Sequence, residues 1–428
     1  MSQRLRVTLQ WLALLLSSIG LFLSVWIVVP APTLTLLPLG VGAPEVSPWL
    51  LVLNAIPAGI AALHAIPIAL LGLHHNRLSR LVLGVSLVGL LLSVLPLVQL
   101  PATQQHMAAA MVNGLGADYM ARIPSNVQIQ MRLPKGHRQS RSHPFILTDA
   151  FRGIDTGKVR YTAGIQFANP NGVPLKMDIY QPPQVGNYPA IVVIYGGGWQ
   201  GGSPKQNPNF NSYMASRGYT VFAIDYRHAP RYRFPAQLDD VRAAQRFIQQ
   251  HAAEYEADPE RIALLGRSAG GHLAMLAAYQ PDALPVQAVV NYYGPYNLAQ
   301  GYREPPNPDP LNVRAVLKAF LGGSPDELPK QYVTASPISY VTRPLPPTLL
   351  IQGERDHIIK VGFARDMHQR LRASGSTSVL LEIPWAEHAF DSIFNGPSNQ
   401  LALYYTEQFL AWALRSKPTS NTTSGYSE

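Results

Sequence analysis

One pentapeptide, Gly266-Arg267-Ser268-Ala269-Gly270, restricts the fold of this chain more than any other stretch of its sequence. It has the form G-x-S-x-G. It lies between residues 261–265, which are typical of a buried parallel strand, and residues 271–278, which are rich in helix formers. A sharp turn from strand to helix needs small residues on both sides, because the backbones approach closely there. The pattern therefore predicts that Ser268 is an exposed nucleophile at the end of a strand. The same pattern also occurs by chance, so other residues must support it.

Composition indicates that part of the chain lies in a membrane. The 428 residues are 47% hydrophobic and only 14% charged, whereas a soluble domain has about 25% charged residues. The absence of cysteine excludes disulfides, thiolate metal sites and cysteine nucleophiles. The histidines show no H-E-x-x-H spacing, so a metallohydrolase has little support. The net charge of +9 favours scattered solvated Lys and Arg side chains over a dedicated binding surface.

The first hundred residues contain three apolar blocks that predict transmembrane helices: Thr8–Val29, Trp49–Leu73 and Leu81–Leu100. At about 1.5 Å per residue the first block is long enough to cross a bilayer, and it is longer than the apolar part of a cleaved signal peptide. Asn54 and His64 interrupt the second block. Polar groups in lipid need partners, and we favour a helix-packing role for these two over an intramembrane functional site.

Basic residues predict the orientation of these helices. Arg4 and Arg6 precede the first span, and Arg77 and Arg80 lie between the second and third spans. Residues 30–48, between the first and second spans, contain no Lys or Arg. The positive-inside tendency then places the N-terminus in the cytoplasm. Three crossings deliver residues 101 onward to the extracytoplasmic side, which in a bacterial-type cell is the periplasm. Loss of the second span would reverse this conclusion.

Residues 101–157 are expected to connect the membrane region to the next domain. Pro101–Arg122 predicts an amphipathic helix that lies on the membrane or on the domain, with an apolar side formed by Met107, Met111, Leu115, Tyr119 and Met120. A basic connector follows. It lacks interleaved aromatic residues, so nucleic-acid binding is not expected. At the other end of the chain, residues 416–428 are polar enough to predict a disordered tail.

Residues 158–415 have the pattern of a mostly parallel sheet with helices on both faces. Residues 159–167 and 175–180 predict an antiparallel hairpin around the turn 169–172. Apolar strands then alternate with helical patterns; the strands are 190–195, 220–225, 261–265, 286–292, 348–352 and 378–383. The Pro- and Gly-rich residues 294–346, with a short helix near 313–321, predict an insertion or cap over the active site. Residues 400–414 predict a closing helix.

A nucleophilic serine needs a histidine to accept its proton and a carboxylate to hold that histidine in the correct tautomer. In the chain order of this fold the acid follows a late strand. Asp356 follows the predicted strand 348–352 and is the expected acid, with Glu354 as the alternative. An Asp at this position also suits the start of a helix, which is the structural alternative.

His388 is the expected base, because it lies on the loop after the last predicted strand. Two other histidines compete for this role. His357 adjoins the proposed acid, and His368 lies in the predicted helix 361–373. Together, the elbow, the acid and the base occur in the order Ser, Asp, His at strand ends, which makes coincidence improbable.

A glycine run after the strand 190–195 is expected to form an oxyanion hole. Gly196, Gly197 and Gly198 let the backbone approach a reacting oxygen, and each donor of such a site contributes about 3 to 4 kcal/mol to catalysis. We expect the N–H groups of Gly197, Gly198 and Ala269 to be the donors. The run could alternatively be a flexible loop or a phosphate cradle, but no Lys-Ser/Thr follows it.

Residues 158–415 resemble an α/β-hydrolase of the hormone-sensitive-lipase and carboxylesterase group. The resemblance rests on Gly196-Gly197-Gly198-Trp199, Asp225-Tyr226-Arg227, Ala229-Pro230, Phe234-Pro235, the elbow, Asp356 and His388. Members of this group usually have His at the position of Tyr195, which leaves the hydrogen bonding of the glycine loop open. The membrane region lies outside the resemblance.

The resemblance implies hydrolysis of carboxylic esters through an acyl-enzyme on Ser268. It implies no metal and no organic cofactor. We expect a small-molecule or lipid-derived ester as substrate; lipid-derived esters suit a domain tethered to a membrane, although tethering could equally serve location alone. A serine peptidase or an acyltransferase on the same scaffold is an alternative, because fold and triad do not determine the leaving group. A receptor or scaffold with a degenerate site is another, for which Tyr195 is the only indication.

Overall fold

A computed structural model describes residues 3–70, 77–132 and 143–415. The predicted disordered tail, most of the basic connector and the last three residues of the predicted second span lie outside the described residues. The helices are α1 Gln3–Val25, α2 Leu37–Glu45, α3 Ser47–Leu70, α4 Arg77–Leu115, α5 Tyr119–Arg122, α6 Ser125–Arg132, α7 Leu147–Arg152, α8 Pro208–Ser216, α9 Ala236–Gln250, α10 Ala269–Tyr279, α11 Leu298–Arg303, α12 Val313–Leu321, α13 Pro329–Thr334, α14 Val361–Ala373 and α15 Pro397–Arg415.

Eight strands form a single sheet in the order β1-β2-β4-β3-β5-β6-β7-β8. They are β1 Arg160–Ala168, β2 Leu175–Gln181, β3 Tyr188–Ile194, β4 Thr220–Ile224, β5 Ala257–Arg267, β6 Ala288–Tyr292, β7 Thr348–Gly353 and β8 Ser378–Ile383. The pairs β1/β2 and β2/β4 are antiparallel and the other pairs are parallel. The predicted hairpin and the mostly parallel sheet are therefore confirmed.

Both faces of the sheet are covered, because the parallel strands are apolar on both sides. Alternate residues of β3 belong to two separate cores: Val192 and Ile194 pack with α9, α10 and α14, whereas Ile191 and Val193 pack with α4, α8 and α15. The strands end in register at one edge, so side chains that follow β3, β5, β7 and β8 come together there. This edge carries the candidate site.

Three apolar helices form an antiparallel bundle at the N-terminal end of the chain. Asn54 of α3 donates hydrogen bonds from Nδ2 to Ser24 Oγ of α1 at 3.0 Å and to Ser93 Oγ of α4 at 3.2 Å. At a second level, Gln10 of α1 donates to Ser79 of α4 at 3.0 Å. These contacts show that α1 and α4 run in the same direction. α3 runs in the opposite direction, because Ala61, which follows Asn54, packs with Ala13 and Val82, which precede Ser24 and Ser93. The helix-packing role predicted for Asn54 is confirmed; the side chain of His64 is not described.

Two helices of the described residues are long and apolar enough to cross a membrane, Val7–Val25 and Arg77–Leu115. A third crossing is counted if Leu37–Glu45 and Ser47–Leu63, which meet at an angle of 80°, form one bent span. This outcome agrees with the sequence, in which the second predicted span is the most interrupted, by Asn54, Pro57, His64 and Pro67.

The prediction of a separate helix from Pro101 was wrong. α4 continues without a break from Arg77 to Leu115, with Pro96 and Pro101 inside it. Proline removes one helical hydrogen bond and usually breaks a helix. Here packing prevails, because Leu100, Met107, Met111 and Leu115 follow one side of the helix and all lie in the core shared with α8 and α15. The expected apolar side therefore rests on the catalytic domain.

Two glycines of α4 provide a matched test of the bundle. A Cβ added at Gly89 would lie 2.2 Å from Asn54 Oδ1, whereas one added at Gly84 meets no atom within 4 Å. Gly89→Ala is expected to lower the free energy of unfolding by about 1–3 kcal/mol, the usual cost of overpacking. Gly84→Ala should leave it unchanged or slightly higher, because Ala favours helix. Thermal unfolding in detergent measures both, and equal midpoints would contradict the proposed packing of Asn54.

Candidate active site

Ser268 lies in a strained turn between β5 and α10. Its φ of 51° and ψ of −121° are unusual for a residue with a side chain, and such strain persists only where the surroundings impose it. Gly266 and Gly270 make the turn possible: a Cβ on Gly266 would lie 2.1 Å from Gly270 O, and one on Gly270 would lie 2.1 Å from Ile194 O. The sequence folds this way because only glycine fits at both positions.

A chain of hydrogen bonds joins Ser268, His388 and Asp356. Ser268 Oγ and His388 Nε2 are 2.9 Å apart, and His388 Nδ1 and Asp356 Oδ2 are also 2.9 Å apart. The side chain of His388 is 8% exposed and that of Asp356 is fully buried. The three residues predicted from sequence are thus within hydrogen-bond reach of one another. This arrangement allows a proton to move from the serine hydroxyl to the imidazole.

The Asp356 carboxylate is fixed by three further hydrogen bonds. Its Oδ1 accepts from the backbone N–H groups of Ile358 at 2.8 Å and Ile359 at 2.7 Å, and its Oδ2 accepts from Gln352 Nε2 at 2.7 Å. The carboxylate therefore also caps the turn after β7, as the structural alternative anticipated. The two roles use different oxygen atoms, so they are compatible.

The competing residues lie elsewhere. His357 Nδ1 pairs with Glu387 Oε2 at 2.5 Å, and His368 on α14 bonds Ser378 Oγ at 2.9 Å. Glu354 is 39% exposed at its side chain and pairs with Arg365 at 3.7 Å. None of the three contacts Ser268 or His388 among the described hydrogen bonds and ion pairs.

The surroundings of His388 raise the pKa of its imidazole above the ordinary value of 6.5. Burial acts in the opposite direction, since it disfavours the charged ring, but the negative charges of Asp356, Glu387 and Asp391 together outweigh it. The ring also lies against Tyr293, with centroids 4.7 Å apart. His388 is therefore a stronger base than a free histidine.

This shift predicts the pH dependence of turnover. The base must be neutral to accept a proton, so activity should rise with pH through a midpoint above 6.5. Glu387→Gln keeps the oxygen that accepts from His388 N–H at 2.9 Å but removes a charge that raises the pKa of His388. We expect the midpoint of kcat/KM to move to lower pH. Glu382→Gln is the control, because this half-buried carboxylate of β8 pairs with Arg365 and is not among the charges that raise the pKa of His388. Equal midpoints in both variants would oppose this account.

The glycine loop after β3 adopts conformations that few other residues can reach. Gly197 has φ 140° and Gly198 has φ 59°, and a Cβ on Gly197 would lie 2.1 Å from Gly201 O. A Cβ on Gly196 would be 3.1 Å from Ser268 Cβ, so the loop lies directly beside the serine. In the described residues the N–H groups of Gly197, Gly198 and Ala269 donate to no protein acceptor. They are free to bind a ligand oxygen.

Tyr195 anchors the glycine loop to the loop after β4. Its hydroxyl donates to Asp225 Oδ1 at 2.5 Å and lies 2.8 Å from His228 Nε2, and its ring stacks on Tyr226 at 4.4 Å. Burial, together with Tyr226 and Asp225, raises the pKa of Tyr195, so the phenol stays protonated as a donor. Burial lowers the pKa of His228. The hydrogen bonding that the sequence left open is thus supplied by Tyr195 and Asp225.

Removing this hydroxyl tests whether it positions the glycine loop for catalysis. Tyr195→Phe keeps the ring stacking but loses the bond to Asp225, so we expect kcat to fall by about tenfold with little change in KM, and stability to fall by about 1–2 kcal/mol. Tyr188→Phe removes an exposed hydroxyl that bonds Gln184 O at 2.8 Å and is the control. Steady-state kinetics and thermal unfolding measure both. Loss of stability without loss of kcat would mean that Tyr195 is structural only.

A buried ion pair beneath the site was not predicted. Arg267, directly before the serine, donates from Nε to Asp391 Oδ2, and Tyr293 donates to Asp391 Oδ1. Asp391 follows His388 by three residues, so the pair ties the serine turn to the histidine loop. The only sequence signal was Arg267 within an otherwise small motif; no spacing rule connects it to Asp391.

Two lobes meet at Ser268. The wide lobe has a volume of about 540 Å³ and is lined by His388, Ser392, Phe394, Asn399 and the glycine loop. The narrow lobe has about 40 Å³ and is lined mostly by apolar side chains of the insertion 294–346, among them Leu298, Val313, Val316 and Leu317. The insertion therefore covers one side of the serine.

Comparison with known proteins adds an independent observation to this geometry. The "Probable carboxylic ester hydrolase LipM" of Mycobacterium tuberculosis is 30% identical over 359 residues, which cover 78% of this chain and 80% of LipM. The chain belongs to the carboxylic ester hydrolase family of LipM. "Esterase LipC" of the same organism is 35% identical over 233 residues, 50% of this chain and 57% of LipC. The family described as BD-FAE matches residues 177–371.

A solved structure with a similar fold is a thermophilic esterase from Thermogutta terrifontis. It is 25% identical with a TM-score of 0.50, and the match covers 62% of this chain and 96% of that chain. The α/β-hydrolase fold predicted for residues 158–415 is thereby confirmed. With the relatives above, it identifies the chain as an enzyme, a carboxylic ester hydrolase.

Proposed function

We propose that this enzyme is a membrane-anchored serine esterase that hydrolyses its substrate through an acyl-enzyme on Ser268. The observation that carries the proposal is the hydrogen-bond chain from Ser268 Oγ through His388 to Asp356, with both distances at 2.9 Å. A serine within reach of an imidazole that is itself oriented by a buried carboxylate is the arrangement that activates a hydroxyl. No metal or organic cofactor takes part in this mechanism.

In the first half of the reaction, Ser268 Oγ attacks the ester carbonyl carbon and His388 Nε2 takes the hydroxyl proton. The carbonyl oxygen becomes negatively charged and accepts hydrogen bonds from Gly197, Gly198 and Ala269, whose N–H groups have no other acceptor in the described residues. Each donor of this kind lowers the barrier by about 3–4 kcal/mol. When the tetrahedral intermediate collapses, His388 returns the proton to the leaving oxygen, so the alcohol departs neutral.

In the second half, water takes the place of the alcohol beside His388. The imidazole removes a proton from the water as its oxygen attacks the acyl carbon, and the same N–H groups bind the second oxyanion. Collapse breaks the bond to Ser268 Oγ, which regains its proton from His388. The products are the alcohol and the carboxylic acid, and the enzyme returns to its starting state.

The membrane anchor of this proposal is the bundle of α1, α3 and α4. Two of the described helices satisfy the length and apolarity of a span. The proposal takes the bent pair Leu37–Glu45 and Ser47–Leu63 as one further span, which gives three crossings. Arg77 and Arg80 lie at the start of α4, whereas its other end packs against β8, so they are at the end of the bundle far from the catalytic domain. With the positive-inside tendency, this supports a cytoplasmic N-terminus and an extracytoplasmic catalytic domain.

Covalent labelling tests the proposed nucleophile. The full chain, purified in detergent, is treated with a fluorophosphonate and digested, and the modified peptide is identified by mass spectrometry. We expect a single adduct on Ser268 and parallel loss of p-nitrophenyl acetate hydrolysis. Ester turnover with an adduct on another serine, or with none, would refute the assignment of Ser268.

A further inference from the structure

Proton delivery decides which lobe holds which part of the ester. The leaving alcohol oxygen must receive its proton from His388 Nε2, so the alcohol has to lie on the histidine side of the serine. His388 lines the wide lobe and is absent from the lining of the narrow lobe. The acyl group therefore occupies the narrow lobe and the alcohol occupies the wide lobe.

The narrow lobe admits only a short acyl group. Its volume is about 40 Å³, and a single water molecule needs about 10–15 Å³ of such space, so about three groups of that size fit. This corresponds to an acyl chain of about four carbons or fewer. The lobe is closed by α12, whose Val316 and Leu317 are almost completely buried. A large substrate must therefore extend through the wide lobe.

The carboxyl edge of the sheet, where both lobes adjoin Ser268, faces the helical bundle. Gly114, near the end of α4, lies against Val379 at the start of β8, with a Cβ position 2.4 Å from Val379 Cγ2. α4 thus runs from the bundle towards the amino end of β8. At the carboxyl edge itself, Arg355 in the loop after β7 donates from Nη2 to Val28 O, just beyond α1.

One wall of the wide lobe is attached to the bundle. Ser392, Phe394 and Asn399 line this lobe. In the same segment, the N–H of Ser398 donates to Glu45 Oε2 at 2.9 Å, and its hydroxyl donates to Glu45 Oε1. Glu45 is the last residue of α2, and it is buried. The wide lobe is therefore held next to the end of the membrane helices.

Exposed apolar side chains lie on the segments that join the bundle to the hydrolase domain. We call them the collar: Val29, Leu34, Trp49, Leu147 and Phe151, which are between 37% and 57% exposed. Trp49 and Phe151 pack edge to face with centroids 4.8 Å apart, and Trp49 Nε1 donates to Ala150 O at 3.1 Å. Tryptophan is enriched at the interface between lipid and water, which is where such a ring is stable. The collar is the surface expected at the level of the bilayer surface.

We propose that the substrate is a short-chain acyl ester of a larger alcohol that resides in the bilayer. The alcohol enters the wide lobe from the membrane surface, and the small acyl group is seated in the narrow lobe. This inference rests on the proposed function. It adds two points to that function: the acyl and alcohol parts of the substrate bind in different lobes, and the substrate comes from the membrane.

Two isomeric esters test this division. Hexadecyl acetate and ethyl palmitate have the same composition and nearly the same apolarity, but they exchange the sizes of the acyl and alcohol parts. The full chain is reconstituted in vesicles of ether-linked phosphatidylcholine that contain one or the other. We expect hexadecyl acetate to be hydrolysed at least about tenfold faster, since one methylene in a tight pocket already counts for about tenfold or more.

Equal rates, a preference for ethyl palmitate, or hydrolysis of p-nitrophenyl acetate with neither vesicle ester would overturn the inference and leave the esterase function intact. Failure to hydrolyse any ester, with no fluorophosphonate adduct, would instead remove the proposed function.

Two sets of variants examine the two halves of the proposal. Leu317→Ala enlarges the narrow lobe and should raise the rate on p-nitrophenyl octanoate relative to acetate by about tenfold. Leu321→Ala, at a buried position on the same helix outside the lobe, is the control and should not change this ratio.

The double variant Leu34→Ser with Leu147→Ser tests the collar. It should slow hexadecyl acetate hydrolysis about threefold to tenfold while p-nitrophenyl acetate turnover is kept. Val185→Ser, 81% exposed before β3, is the control. Results equal to the controls would oppose the respective half.

Discussion

Ser268→Ala is expected to reduce ester hydrolysis by about 10⁶-fold, to the level left by binding and oxyanion stabilisation alone. The substitution removes only the oxygen that lies 2.9 Å from His388 Nε2. The turn itself is built by Gly266 and Gly270, whose positions leave no room for a Cβ, so the fold should persist. Initial rates with p-nitrophenyl acetate, together with fluorophosphonate labelling, measure the effect.

Ser339 provides the control for this substitution, because it is exposed and lines neither lobe. Ser339→Ala should keep turnover and labelling within a few-fold of the unchanged enzyme. If Ser268→Ala retains more than a trace of activity while it remains folded, the hydroxyl of Ser268 is not the nucleophile and the acyl-enzyme mechanism must be abandoned.

Asp356→Asn is expected to lower kcat by about 10⁴-fold although it changes only one atom. Asp356 Oδ1 accepts from two backbone N–H groups, at 2.8 and 2.7 Å, so the amide oxygen of an asparagine should keep that position. Its NH₂ group would then face His388 Nδ1. The imidazole proton would be forced onto Nε2, where it blocks acceptance of the proton from Ser268.

The same substitution also brings two NH₂ groups together, since Gln352 Nε2 donates to Asp356 Oδ2 at 2.7 Å. Thermal unfolding should therefore accompany the kinetics, so that a loss of fold is recognised. Glu354→Gln, at an exposed carboxylate two residues away, serves as the control and should remain active. A fully active Asp356→Asn variant, or an inactive Glu354→Gln variant, would transfer the role of the acid to Glu354.

Local chemistry made most of the site predictable from the sequence. A strand that must end in a tight turn before a helix needs glycine at fixed positions, so the place of Ser268 could be read directly. Parallel strands bring their carboxyl ends to one edge, which is why Asp356 and His388, 88 and 120 residues after Ser268 in the sequence, could be expected beside it. The structure agrees with this expectation, since His388 lies 2.9 Å from both Ser268 Oγ and Asp356 Oδ2.

Features that depend on long-range packing could not be predicted. The partners of Tyr195 lie on the loop after β4, and no spacing rule links a residue before the glycines to Asp225. The pair of Arg267 with Asp391 joins residues 124 positions apart. Pro101 is a strong local signal for a helix end, yet it lies within α4 because burial of Leu100 and Met107 outweighs one lost hydrogen bond.

Because α4 is one continuous helix, the hydrolase domain is not structurally independent of the helical bundle. The second half of α4 is not a tether but a structural layer of the hydrolase, since Met107, Met111 and Leu115 are almost completely buried against β8 and α15. A hydrolase cut at residue 158 would lose α4 and expose to water the apolar surface of β8 and α15 that α4 covers, so it would tend to aggregate. Proteolysis between α4 and residue 158 is therefore not expected to release a stable, soluble hydrolase.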